Sequence, residues 1–156
     1  MIEIKPITHI DLTTLAELLA ELSGLPTQWE RMQANFQWIS ANPDYLLLGA
    51  YLDGRLVGSL MGIFCHDLVG DCRPFMVLEN VIVAAAFQGR GIGKQLLTTV
   101  EQLASERNCY YLMFVSGSQR HTAHRFYQSL GYCLDEVQGF KKYLRAAGAP
   151  VLPDVR

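Results

Sequence analysis

The order of apolar patterns along the chain predicts an α/β fold, a mixed sandwich built around one central sheet. Runs of strand length alternate with segments whose apolar residues recur at helical spacing. Of the 156 residues, 50% are hydrophobic and 18% charged, which supplies a core and rules out wholesale disorder. A chain of this size buries roughly 70% of its unfolded surface, so it needs no disulfide or metal staple. One domain is expected over residues 1–144, followed by a loose tail over 145–156 that contains Gly148, Pro150 and Pro153.

Residues Ile2 to Ile7 alternate apolar with polar and read as an edge strand. Leu12, Leu15, Leu19 and Leu22 then mark a helix that Gly24 and Pro26 stop. Thr27 and Glu30 have capping-box spacing for a second helix, with Trp29, Met32, Phe36 and Ile39 as its buried stripe. Tyr45–Leu52 and Leu56–Phe64 flank Asp53-Gly54-Arg55, a hairpin signal. After a polar loop, Cys65–Pro74, the nearly continuous apolar run Phe75–Val83 suits a strand buried within the sheet. Ile92, Leu96, Val100, Leu103 and Ala104 form the apolar face of the next helix, and Tyr110–Val115 is another buried strand. Ala123, Phe126, Tyr127 and Leu130 share one face of the last helix, with Gly131 as its cap. Tyr132–Val137 and Phe140–Leu144 complete a sheet of about seven strands.

Composition excludes several functions. Thirteen Lys and Arg against fifteen Asp and Glu give a net charge of −2, and no basic aromatic stripe is present, so nucleic-acid binding is not expected. No apolar run reaches the ~18 residues that span a bilayer. Met1-Ile2-Glu3-Ile4-Lys5 lacks the pattern of a signal peptide, so a cytoplasmic location is expected. Cys65, Cys72, Cys109 and Cys133 form no C-x-x-C pair and read as reduced thiols. His121 and His124 could place two ligands on one helix face, but no zinc spacing is completed and no metal is expected.

The informative feature is Gln88-Gly89-Arg90-Gly91-Ile92-Gly93-Lys94, where an apolar strand turns into a helix. A helix N-terminus offers roughly four unpaired N–H groups and about half a positive charge. Glycines there let an anion approach the backbone, and Arg90 and Lys94 add charge, so the loop suits a phosphate or pyrophosphate. The bland alternative is a tight turn. A nucleoside-triphosphate P-loop is rejected because Gln88 and Gln95 stand where it needs Gly and Ser or Thr. The dinucleotide fingerprint fails because Lys94 and Leu96 stand where its third glycine belongs.

Gln88-x-x-Gly91-x-Gly93 after Val81-Ile82-Val83 resembles the pyrophosphate motif of the GNAT superfamily, the acetyl-CoA-dependent N-acetyltransferases. Ala123-x-x-Phe126-Tyr127-x-x-x-Gly131-Tyr132 resembles that family's second motif. The resemblance covers nearly all of residues 1–144 and implies helices on both faces of the sheet. It also implies that the strands Phe75–Val83 and Tyr110–Val115 splay apart where the co-substrate acetyl-CoA lies. The pantetheine arm would pair with backbone of Val81 and Val83, flanking Ile82, and the pyrophosphate would sit on Gly89, Arg90, Gly91, Ile92, Gly93 and Lys94. Two departures stand out. Ala84-Ala85-Ala86 replaces a frequent acidic residue and proline, and Arg120 replaces a frequent asparagine.

The reaction implied is acetyl transfer to a primary amine in a direct ternary complex. A lysine-like amine of pKa ~10.4 is about one part in a few thousand neutral at pH 7, so a base is useful. Glu79 is the candidate, being the charged residue of its strand. Strict alternation puts it on the face of Val77, Val81 and Val83, where partial desolvation would raise its pKa. Its alternative role is to pair with an Arg or a backbone N–H. By the resemblance Tyr127 is the acid that protonates the leaving thiolate; its alternative role is packing. The acceptor pocket is expected from the second helix, the loop Cys65–Arg73 and the last hairpin. The partner would be a small-molecule or peptide amine, and a homodimer is compatible with this reading. A non-catalytic acyl-CoA-binding sensor is the rival function.

Overall fold

In a computed structural model, which describes residues 1–144, the alternation resolves into five strands and four α-helices. The expected tail, 145–156, lies outside the described residues. The chain divides into two units, Met1–Phe114 and the part from Val115 onward. The first carries β1 (Ile2–Pro6), α1 (Leu12–Ser23), α2 (Trp29–Ala41), β2 (Tyr45–Leu52) and β3 (Arg55–Cys65). It continues with β4 (Phe75–Val83), α3 (Ile92–Glu106) and β5 (Leu112–Met113). The second unit carries α4 (His121–Ser129).

The sheet runs β1-β2-β3-β4-β5, antiparallel except for the parallel pair β4–β5, so it is mixed as expected. Leu52 faces Arg55 across the β2–β3 turn, where Asp53 and Gly54 have φ of 49° and 82°. Only residues tolerant of positive φ close so short a turn with the twist of its strands. On one face, Ile7, Leu12, Leu15, Leu18, Tyr51, Leu56 and Ile82 form a cluster that seats α1. On the other, α3 packs close because β3 carries glycine. A Cβ on Gly58 would lie 2.9 Å from the Ile82 carbonyl oxygen and 3.4 Å from Leu96 Cδ1. Leu60, Met76, Leu96, Leu97 and Val100 are almost wholly buried, each contributing about 1.5–3 kcal/mol.

Four expectations need correction. The sheet has five strands among the described residues, not about seven: 132–137 and 140–144 form no ladder, and Val137 and Phe140 are exposed. An alternating pattern makes a strand only where a partner edge meets it. The strand read over Tyr110–Val115 pairs only at Leu112 and Met113, and Tyr110, Tyr111 and Val115 are exposed. Helix α2 buries no residue fully; Met32 and Phe36 rest against the α1 cluster while Trp29 and Trp38 stay exposed. Its N-cap is Gln28 with no side-chain cap, so Thr27 and Glu30 do not form the capping box.

A polar tie fixes the start of α1. Tyr51 on β2 donates its hydroxyl to Asp11 Oδ2 at 2.8 Å, and the Thr8 N–H and hydroxyl reach the same oxygen at 2.9 Å. Burial works to raise the Asp11 pKa, but hydrogen bonds from Thr8 and Tyr51 and the charge of Lys5 outweigh it, so the net displacement is downward. A carboxyl whose folded pKa lies below its unfolded value stabilises the fold above that value, ~3.9, and loses the contribution as pH falls through the folded pKa. Asp11→Asn is therefore expected to lower Tm at pH 7, with the difference from wild type shrinking towards pH 3. Melting curves showing the same difference at both pH values would mean that the charge is not involved.

Candidate active site

Strand β4 does not alternate strictly. Glu79 faces Met61 and Ile82 faces Ser59, so β4 supplies Asn80 and Val81 opposite the single residue Leu60 of β3. This bulge sits at Asn80, whose φ is +56°, a conformation that Asn tolerates better than most residues. The extra residue switches faces. Val77, Glu79 and Ile82 share the α1 side, as the place of Ile82 in the α1 cluster confirms. Val83 lies on the α3 side, beside Gly58. Glu79 therefore does not share a face with Val83, and it is exposed rather than partly desolvated.

The β4–β5 ladder contains Met76↔Leu112 and Val77↔Met113 and then stops. From Leu78 to Val83 the β5-side edge of β4 has no strand partner among the described residues. The Ala84 N–H donates to the Val57 carbonyl at 2.9 Å, so the neighbouring peptide groups of Val83 point away from β3. The Val83 carbonyl is already engaged: Gln88 Nε2 donates to it at 2.9 Å. Of the two extended-backbone groups at Val83, the N–H is the one left for a ligand.

Beyond β4, a turn of 3-10 helix over Ala85–Phe87 leads into the glycine loop. Gly89 and Gly91 have φ of 75° and 78°, and no atom lies within 4 Å of a Cβ built on either. They serve backbone conformation and leave open space. Gly91 is the N-cap of α3, and the Gln95 N–H makes the bond back to its carbonyl at 3.1 Å. The N–H groups of Ile92, Gly93 and Lys94 thus lie in the first turn, where the helix supplies no acceptor. Ile92 is buried and anchors the helix, whereas Arg90 and Lys94 are exposed. The Phe87 ring carries two guanidinium groups, Arg55 at 5.5 Å and Arg90 at 5.4 Å from its centroid. The arrangement concentrates positive potential and backbone donors at one helix end, which fits a pyrophosphate.

Tyr127 belongs to the second unit, on α4. It is 8% exposed and packs beside Phe126 and Tyr132, with centroids 5.4 and 6.2 Å away. Burial raises its pKa, partly offset by the positive charge of Arg120, so the phenol holds its proton at neutral pH. Gly131 follows the helix with φ of 91°, the left-handed cap expected. In the loop after β3, Asp67 Oδ1 accepts the N–H groups of Leu68 and Val69, which closes a local turn.

A model of the acetyltransferase (GNAT) family matches residues 12–132, which include the glycine loop and α4. The chain belongs to the GNAT family. It is 27% identical over 85 residues to an aminoglycoside N(6')-acetyltransferase type 1 of Salmonella typhimurium, covering 53% of this chain and 59% of that enzyme. The match thus spans less than two thirds of that relative's length. The GNAT chain is also 28% identical over 140 residues to a glucosamine 6-phosphate N-acetyltransferase 1 of Oryza sativa, covering 86% and 83% of the two chains. Its fold matches the structure of AAC(6')-Iy in complex with the bisubstrate analogue CoA-S-monomethyl-acetylneamine. There the TM-score is 0.79 and the identity 21%, over 93% of this chain and 99% of that one.

Within this GNAT chain the first unit brings together Val81, Ile82, Val83 and Gln88 to Lys94, with Glu79 on the same strand. Sequence reading missed Glu21, Arg55 and Phe87. Nothing local marks Glu21, whose Oε1 accepts the Ala85 N–H at 2.8 Å from 64 residues away. Among the described residues no helix is long and apolar enough to cross a membrane, and no three His, Cys, Asp or Glu side chains are placed to hold a metal.

Proposed function

We propose that this protein transfers an acetyl group from acetyl-CoA to a primary amine, directly and within a ternary complex. The observation that carries the reading is the glycine loop at the start of α3, which follows a strand with an unpaired edge. In this reading the N–H groups from Gly89 to Lys94, with Arg90 and Lys94, bind the pyrophosphate, and the Val81–Val83 edge aligns the pantetheine arm. The names of two relatives describe N-acetylation of aminoglycosides and of glucosamine 6-phosphate, which supports an amino-sugar amine as acceptor. The CoA-linked bisubstrate analogue held by the matching fold supports direct transfer.

Two side chains carry the proton traffic. Tyr127, kept protonated by burial, donates to the thiolate as the C–S bond breaks. Glu79 takes the proton of the attacking amine, directly or through water. Because Glu79 is exposed, bulk water can replace part of what it does. Glu79→Gln is accordingly expected to lower kcat/KM at neutral pH about tenfold, with recovery as the pH is raised. A pH profile identical to wild type would remove Glu79 from the mechanism.

The deciding experiment follows thiol release from acetyl-CoA with a panel of primary amines, amino sugars included, and identifies the acetylated product by mass spectrometry. Thiol release that depends on the amine is expected. Tight acetyl-CoA binding with no thiol release from any amine would favour the acyl-CoA-binding sensor instead.

A further inference from the structure

The 3-10 turn that joins β4 to the glycine loop begins at Ala85, and its cap residue, Ala84, has no side-chain acceptor. The next residue, Ala86, has none either. The N–H of Ala85 is instead taken by Glu21 Oε1, reaching across from α1 at 2.8 Å. An acidic side chain from another helix thus does what a local Asp or Ser does elsewhere, fixing the turn whose far end presents Gln88 and Gly89.

We propose that Glu21 is a positioning residue for the pyrophosphate loop, setting the path of Ala85–Arg90 and through it the placement of the N–H groups from Gly89 onward. The inference rests on the pyrophosphate reading of that loop. In this role Glu21 acts through the Ala85 peptide, whose N–H it accepts, rather than on a substrate directly. Other contacts in the segment are weaker or local. Gln88 reaches back to Val83, Arg90 Nη2 lies 3.5 Å from the Ala86 carbonyl, and the guanidinium groups of Arg55 and Arg90 cover Phe87. The carboxylate of Glu21 is the charge-assisted link from this turn to α1.

The test compares two thioester donors: acetyl-CoA, and acetyl-pantetheine, which lacks the pyrophosphate. Glu21→Ala is expected to raise KM for acetyl-CoA about three- to tenfold, with kcat, acceptor KM and use of acetyl-pantetheine nearly unchanged. Glu21→Gln, which keeps an acceptor oxygen, should restore most of the affinity. Hydrogen exchange should show the Ala85 amide losing protection in Glu21→Ala and keeping it in Glu21→Gln. Should Glu21→Ala fail to fold, Glu21→Asp, which withdraws the carboxylate by a methylene, makes the same comparison. An unchanged acetyl-CoA KM overturns the proposal, and so does an equal loss with both donors, which would make Glu21 merely structural. If the wild-type enzyme itself uses both donors equally well, the pyrophosphate reading fails first and the role of Glu21 falls with it.

Discussion

Tyr127→Phe is expected to lower kcat roughly 10- to 10³-fold while leaving acetyl-CoA affinity close to wild type. The substitution removes one oxygen from a buried ring and keeps the contacts with Phe126 and Tyr132, so packing survives. In the proposed reaction, what is lost is the proton donor at the step where the thiolate departs. Burial holds the phenol above its ordinary pKa of ~10, and Arg120 only partly offsets this. The wild-type kcat should therefore stay level well into alkaline pH, because an acid with a raised pKa is still protonated there. In the Phe variant the residual rate arises because a thiolate can leave unaided, and it should rise with donors bearing a more acidic thiol. A variant that keeps kcat but loses acetyl-CoA affinity would make the hydroxyl a binding group. Circular dichroism comes first, since an unfolded variant would lose both.

Gly91→Val is expected to weaken acetyl-CoA binding on the order of 10²-fold. Two causes contribute and can be separated. The φ of 78° at Gly91 is strained for any side chain, about 1–2 kcal/mol, and the loss should appear in Tm. Beyond the adjoining residues no protein atom lies within 4 Å of the new Cβ, so the side chain starts in open space beside the backbone donors. Gly93→Ala supplies the control. Gly93 is the second residue of α3 and has no positive φ, so alanine there avoids the left-handed strain of Gly91→Val, and affinity should fall without that loss of Tm. Calorimetry that finds both folded variants binding acetyl-CoA like wild type would exclude this loop as the pyrophosphate site.

Much of this molecule is written locally. Asp53-Gly54, Gly24 and Gly131 adopt the positive φ that their residue types favour. The stripe Ile92, Leu96, Val100, Ala104 is buried as its spacing requires. The glycine loop is readable because everything it needs lies between a strand end and the following helical turn. Each of these features depends on dihedral preferences or periodicity within a few residues, and a sequence displays both directly.

The rest depends on partners distant along the chain. The bulge at Asn80 moves Glu79 and Ile82 onto one face, and an apolar run of strand length gives no sign of it, because a bulge exists only relative to the register of β3. The pairing of β5 ends after Met113, and the segments 132–137 and 140–144 form no strand, since alternation makes a strand possible and only a facing edge makes it real. Glu21 is an unremarked acid on the outside of α1 until the fold sets it against the Ala85 peptide, 64 residues on. The sequence alone displayed the glycine loop at the start of α3 and the tyrosine on its helix. Tertiary structure decided which face the carboxylate of β4 occupies and what holds the loop in place, because both are set by long-range hydrogen bonds with no local signature.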